Sequence, residues 1–201
     1  MGVTNTVLFP FYKKYIKVVS PCALLGFTDN SLFDGDLYDL RLNNWNINSQ
    51  WDLNKRYETI ICTRCAYFAK DPEDFIIRCH KYLKPGGKLY VDWGVGEHWR
   101  YDNFKVGWVK NGEHEKKYTE DNYLWSMVWD ESFLENESYQ VFAREVKKYG
   151  YDDVKTAIFN EVPCVLDLDK MRKYFDINYH ILTVTGKYLQ MYVLLEGVAK
   201  T

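Results

Sequence analysis

Residues 57–94, YETIICTRCAYFAKDPEDFIIRCHKYLKPGGKLYVDWG, constrain the fold more than any other part of the chain. The run 57–62 is short, apolar and β-branched at Thr59, Ile60 and Ile61, as a strand covered on both faces is. Asp71 then offers a helix cap, Pro72 suits the first helical position, and Glu73 and Asp74 place negative charge where the helix dipole favours it. Phe75, Ile76, Cys79 and Leu83 recur at helical spacing, which predicts one face lying on a sheet. Pro85, Gly86 and Gly87 stop the helix, and the apolar strand pattern resumes over 88–94. Strand, crossover helix and strand at this length make a right-handed parallel unit, so the fold class is α/β.

The stretch resembles the second half of a class I S-adenosylmethionine-dependent methyltransferase domain of the methyltransferase type 11-like kind. The likeness is carried by Lys70-Asp71-Pro72 opening the helix and Leu83-Lys84-Pro85-Gly86-Gly87 turning into the next strand, with matching strands on both sides. It implies a Rossmann-like, mostly parallel sheet with a C-terminal antiparallel hairpin. It also implies S-adenosylmethionine as cofactor, S-adenosylhomocysteine as product, and methyl transfer to an unidentified acceptor, small or macromolecular. The alternative is a divergent member that keeps the fold as a non-catalytic binding or scaffold subunit.

Upstream, a short helix is expected over 11–19, ended by Pro21, and a first strand over 22–27. The resemblance places the cofactor loop at Gly26, Phe27, Thr28, Asp29 and Asn30. Gly26 matches the family's first glycine; Leu24 stands where the family has an acid, and Thr28 and Asn30 stand where it has later glycines. A second strand is expected over 37–42. Its nearest acid, Asp39, lies thirteen residues after Gly26, against about 20 on the usual strand–helix–strand path. Asp39 is therefore read as the ribose ligand or, equally, as a loop carboxylate.

The resemblance places a third strand in 40–52, with a loop flanking the adenine. Trp45 or Trp51 can stack on a purine and Asp52 can accept from its amine, or the tryptophans are simply buried turn residues. After the next strand, Cys62 and Thr63 would face the cofactor, and Arg64, Tyr67, Phe68 and Trp93 the substrate. Tyr67 and Phe68 can hold a sulfonium by cation–π attraction or belong to the core. His98, with Trp99 beside it, is the candidate general base, because an imidazole titrates near neutrality. The other reading of His98 is structural.

The segment 101–162 exceeds an ordinary crossover and is rich in Trp, Tyr and Phe, so it is expected to be a folded insertion that caps the sheet edge, as an acceptor pocket or a homodimer interface. A hairpin is expected over 175–184 and 188–198. The whole of 1–201 reads as one domain.

The net charge of −2 excludes a globally basic, nucleic-acid-type surface. No apolar run approaches the roughly 20 residues of a membrane span, and the expectation is a soluble, cytoplasmic protein. Five cysteines, an odd number in a chain of this size, fit a reducing compartment. Cys62 and Cys65 form a CxxC, but no second pair or nearby histidine completes a zinc set, so packing thiols are favoured and no metal is expected.

Overall fold

The structure is a computed structural model, and it describes residues 4–96, 124–186 and 188–201. Its centre is a six-stranded sheet of order β2-β1-β3-β4-β8-β7. Here β1 is Cys22–Leu25, β2 Asp36–Tyr38, β3 Tyr57–Cys62, β4 Leu83–Gly96, β7 Phe175–Val184 and β8 Gln190–Ala199. The pairs β1·β2, β1·β3 and β3·β4 are parallel, whereas β8 runs antiparallel to both β4 and β7. A single reversed strand therefore lies between two strands of the common direction, so the fold is the Rossmann-like α/β sheet with the closing hairpin that the resemblance implied.

The central strands are buried residue after residue, BBBB in β1 and nearly so in β3, because helices and loops cover both faces. On one face Leu8, Tyr12 and Ile16, from helix α1 (Phe9–Tyr15) and its flanks, cover Leu24, Ile61, Tyr90 and Leu194. On the other, α3 (Pro72–Tyr82) sets Phe75, Ile76 and Cys79 against Ile60, Leu89 and Val91. The expected caps of α3 form: the Asp71 carboxylate accepts the Asp74 N–H at 2.9 Å, with Pro72 in the first turn.

The strand that follows begins earlier than expected. Leu83 already pairs with Tyr57, and Lys84–Gly87 form a bulge before Lys88 resumes pairing with Thr59. Gly86, at φ +75°, supplies the bend.

Two expectations near the N-terminal half are corrected. Strand β2 spans only Asp36–Tyr38, and the chain turns at Asp39 into the four-residue helix α2 (Leu40–Asn43). Asp39 accepts the Arg41 N–H at 2.8 Å, and Asn43 Nδ2 reaches back to the Leu37 carbonyl at 2.8 Å. These side-chain bonds compete with strand pairing, which is why 39–43 leaves the sheet. Nor do residues 44–56 form a third strand; Asn44 is left-handed at φ 56°, and the following stretch is an irregular covering layer. Shorter boundary differences occur at α1, which starts at Phe9, and at β1, which ends at Leu25 where Gly26 turns away.

Of the expected insertion 101–162, residues 101–123 lie outside the described residues, as do 97–100 before it. Its described part supplies β5 (Ser126–Trp129), which pairs in parallel with β6 (Cys164–Asp167) just beyond it. Between these strands lie helices α4 (Glu137–Val146) and α5 (Val154–Glu161); a short α6 (Leu168–Met171) leads into β7. Met127, Trp129, Phe133, Phe142 and Ile158 belong to the same core as Trp93 and Phe175.

Candidate functional site

In an open parallel sheet ligands bind beyond the carboxyl ends of the strands, where the strand order reverses. Here β1 has β2 on one side and β3 on the other, so the reversal falls between β1 and β3. A cleft of about 250 Å³ opens there, lined on one side by Gly26, Asp39, Leu40 and Arg41, and on the other by Arg64, Cys65 and Phe68. Trp45, Asn46, Ile47 and Asn48 form its remaining wall. That volume lies just below the usual ligand-pocket range of about 300–1,000 Å³, enough for a nucleoside-sized group.

Each wall has a local cause. Gly26 ends β1 at φ +79°, and an added Cβ would stand 2.8 Å from the Cys65 Cβ. Only glycine lets the two strand-end turns approach so closely. Arg64 is the only other strand-end residue of the cleft with positive φ, at +59°. It is held there because its N–H donates to Asp92 Oδ1 at 2.6 Å. The 45–48 wall is pinned by Asn48, whose Nδ2 donates to the Phe68 carbonyl at 3.0 Å and whose Oδ1 accepts the Lys70 N–H at 2.8 Å. Sequence reasoning did not single out Asn48, since an asparagine in an Asn-rich turn has no spacing signature.

Trp45 is 8% exposed and packs against Trp51, ring centroids 5.2 Å apart. Among the described residues its buried indole N–H, like that of Trp51, has no hydrogen-bond partner. Asp39 spends Oδ1 on the α2 cap and retains Oδ2 as an acceptor.

The expected site residues thus divide. Gly26, Asp39, Trp45, Arg64 and Phe68 meet in the cleft, with Cys65 beside them. Phe27, Thr28, Asp29 and Asn30 are not among its lining residues: Phe27 packs on Phe33, and Asp29 accepts the Ser31 N–H at 2.8 Å. Asp52 is exposed and also outside the lining.

Cys62 and Tyr67 are buried in the core, Thr63 is 7% exposed, and Trp51 is sandwiched between Trp45, Phe75 and the Arg78 guanidinium. Trp93 is wholly buried and donates to Ser126 Oγ at 3.2 Å, which in turn donates to the Ala66 carbonyl. The strand alternation that points Trp93 inward also removes it from any substrate. His98 and Trp99 lie outside the described residues. Burial pushes the Cys62 thiol up, with Cys65 as a hydrogen-bonding neighbour, so Cys62 is a neutral packing thiol. No group of His, Cys, Asp and Glu among the described residues could hold a metal ion. No described helix is long and apolar enough to cross a membrane.

Asp92, also missed as a site residue, is the one fully buried carboxylate among the described residues. It accepts the Tyr12 O–H as well as the Arg64 N–H. Burial pushes its pKa up to about 6, partly offset by these two hydrogen bonds and the Arg64 charge. A lone acid in an otherwise apolar strand was the available signal.

No family model matches the chain, and no curated protein matches it. Among solved structures the chain is similar to the N-methyltransferase NodS from Bradyrhizobium japonicum WM9, at 9% identity over 83% of this chain and TM-score 0.39. It is similar to the same enzyme in complex with S-adenosyl-L-homocysteine, at 9% identity over 83% of this chain and TM-score 0.37. The chain spans 61% and 55% of those two chains. A SAM-dependent methyltransferase from Thermotoga maritima is similar at 11% identity, covering 96% of this chain and 87% of its own, with TM-score 0.43. The fold assignment rests on strand order and sense rather than on these likenesses.

Proposed function

We propose that the cleft binds S-adenosylmethionine and that the protein transfers its methyl group to an acceptor yet to be identified. The observation that carries this reading is the cleft at the β1/β3 reversal, floored by a glycine that a Cβ would obstruct. The donor set fits the group. Asp39 Oδ2 would accept from ribose hydroxyls, and the partnerless Trp45 N–H would donate to the nucleoside. Arg64 supplies a cation for the cofactor carboxylate, and Phe68 an aromatic face for a sulfonium.

When bound, the cofactor supplies an electrophilic methyl on positively charged sulfur. The chain's own contribution is alignment and exclusion of water: Asn48 holds the adenine-side wall to the turn after β3, so the two sides of the cleft keep a fixed spacing. His98 remains the proposed base and Trp99 the proposed acceptor contact, with the insertion 101–162 as the acceptor pocket or a dimer interface.

Calorimetric titration with S-adenosylmethionine and with S-adenosylhomocysteine tests the reading. Micromolar binding of either is expected, and Asp39→Asn, which preserves the α2 cap, should weaken it at least about tenfold by removing a charge-assisted bond. A folded protein that binds neither ligand up to millimolar concentration would leave the scaffold reading in its place.

A further inference from the structure

The buried Asp92 does not reach the cleft, yet it is bonded to a residue that does. Its Oδ2 accepts the Tyr12 O–H from α1, and its Oδ1 accepts the N–H of Arg64, the cleft residue at φ +59°. A left-handed non-glycine residue costs on the order of 1 kcal/mol and persists only where its surroundings hold it. Among the described bonds, the Asp92 carboxylate is what grips this backbone.

We propose that Asp92 is a positioning residue, which holds the Arg64 turn in ligand-binding geometry through charge-assisted hydrogen bonds from Tyr12 and Arg64. The inference rests on the cofactor reading of the cleft. Burial is unfavourable for a carboxylate, so a purely structural acceptor at this place would do as well as an amide. A charged acceptor binds an N–H more tightly than a neutral one, and therefore resists the turn's return to ordinary φ.

The groups facing Asp92 come from three elements and a turn: Tyr12 on α1, Cys62 at the end of β3, Arg64 and Tyr67 in the turn after it, and Tyr192 on β8. Burial pushes the Tyr12, Tyr67 and Tyr192 hydroxyls and the Cys62 thiol up, so all four stay neutral between pH 5 and 8. Asp92, raised to about 6, is the group of this cluster that titrates in that range. His180 is a second titrating group reached through α1, because it stacks on Tyr15 at 3.7 Å and burial holds its pKa below the usual value.

The experiment is titration with S-adenosylhomocysteine from pH 5 to 8 for the wild type, Asp92→Asn, Tyr12→Phe and His180→Gln. Amide hydrogen exchange of residues 63–66 is followed in parallel without ligand and corrected for intrinsic pH dependence. The wild type should bind most tightly above pH 7 and lose about tenfold by pH 5, the difference between a charged and a neutral acceptor. Asp92→Asn, which imitates the protonated form, should bind at the weaker level throughout. Tyr12→Phe should move the midpoint to higher pH, because it removes a bond that favours the charged form. His180→Gln should keep the wild-type profile. Faster exchange at Arg64 is expected in Asp92→Asn and in the wild type at low pH.

Wild-type affinity, pH profile and exchange in Asp92→Asn would overturn the proposal. Absence of ligand binding by the wild type, with Arg64 exchange still following residue 92, would instead remove the cofactor reading and leave the positioning of the turn standing.

Discussion

Trp45 offers a test of the cofactor reading at a single residue, because it lines the cleft and its indole N–H has no partner among the described residues. A buried N–H without a partner costs about 1–3 kcal/mol; Trp51, outside the cleft lining, carries the same orphan, so what sets Trp45 apart is its place in that lining. Trp45→Phe should therefore leave the free protein as stable as before or more so, while weakening S-adenosylhomocysteine binding about tenfold for the loss of one hydrogen bond. Thermal midpoints and calorimetric affinities of the two forms check both halves, and equal loss of stability and affinity would make Trp45 a packing residue.

Asp92 has a stability signature of its own. Its folded-state pKa, about 6, lies above the ordinary carboxylate value, so between pH 4 and 6 the native state binds more protons than the unfolded one. Stability on this group's account is highest below that window and falls as pH rises through it, by about 3 kcal/mol in all. Asp92→Asn should accordingly be the more stable protein at pH 7.5, with the advantage gone by pH 4. Denaturant titrations at the two pH values measure it.

At the scale of elements, α3 owes its start to three adjacent residues. Asp71→Ala should cost about 1 kcal/mol, the usual worth of an N-cap, read as a lower denaturation midpoint. Because Asp71 is exposed and not among the residues lining the cleft, cofactor affinity should not change.

Helix α2 shows the opposite balance. Its sequence, LRLN, alternates as well as a strand does, and its Leu40 and Leu42 side chains are about half exposed. Asp39 and Asn43 decide the matter by bonding the backbone from both ends. The same cap brings Asp39 to the cleft, only thirteen residues after Gly26, without a full crossover helix between them.

At the scale of the molecule, one core holds both sheets together. Trp93 and Val95 of β4, Met127 and Trp129 of β5, Phe142 of α4 and Phe175 of β7 belong to a single buried cluster. Residues sharing a core lose it together, so these elements should unfold in one cooperative transition. Native-state hydrogen exchange should find its slowest amides in β3, β4 and β8, which have strands on both sides, and fast exchange in the exposed stretch 28–31. A separate, earlier opening of β5, β6 and the helices between them would show the second sheet to be an independent unit.

The sequence by itself determined the elements whose causes are local. Continuous apolar runs defined β1 and β3, the latter β-branched at Thr59, Ile60 and Ile61; Asp71-Pro72 defined the start of α3, and alternation defined the closing hairpin. Of the cleft lining, Gly26, Asp39, Arg64 and Phe68 were legible because strand ends in a parallel sheet face one edge, and Trp45 as an aromatic in the loop expected beside them. What only the tertiary structure decided depends on partners far away in sequence. Whether Trp93 and Tyr67 face a ligand or the core is set by Ser126 of the second sheet, which accepts from Trp93, 33 residues before it, and donates to Ala66, 60 residues before it and next to Tyr67. The roles of Asn48 and Asp92 are set by Phe68 and Lys70, and by Tyr12 and Arg64, across sequence separations of 20 to 80 residues. Periodicity and spacing report which face a residue is on; they carry no record of the polar group that meets it there, because that meeting exists only once the sheet has assembled.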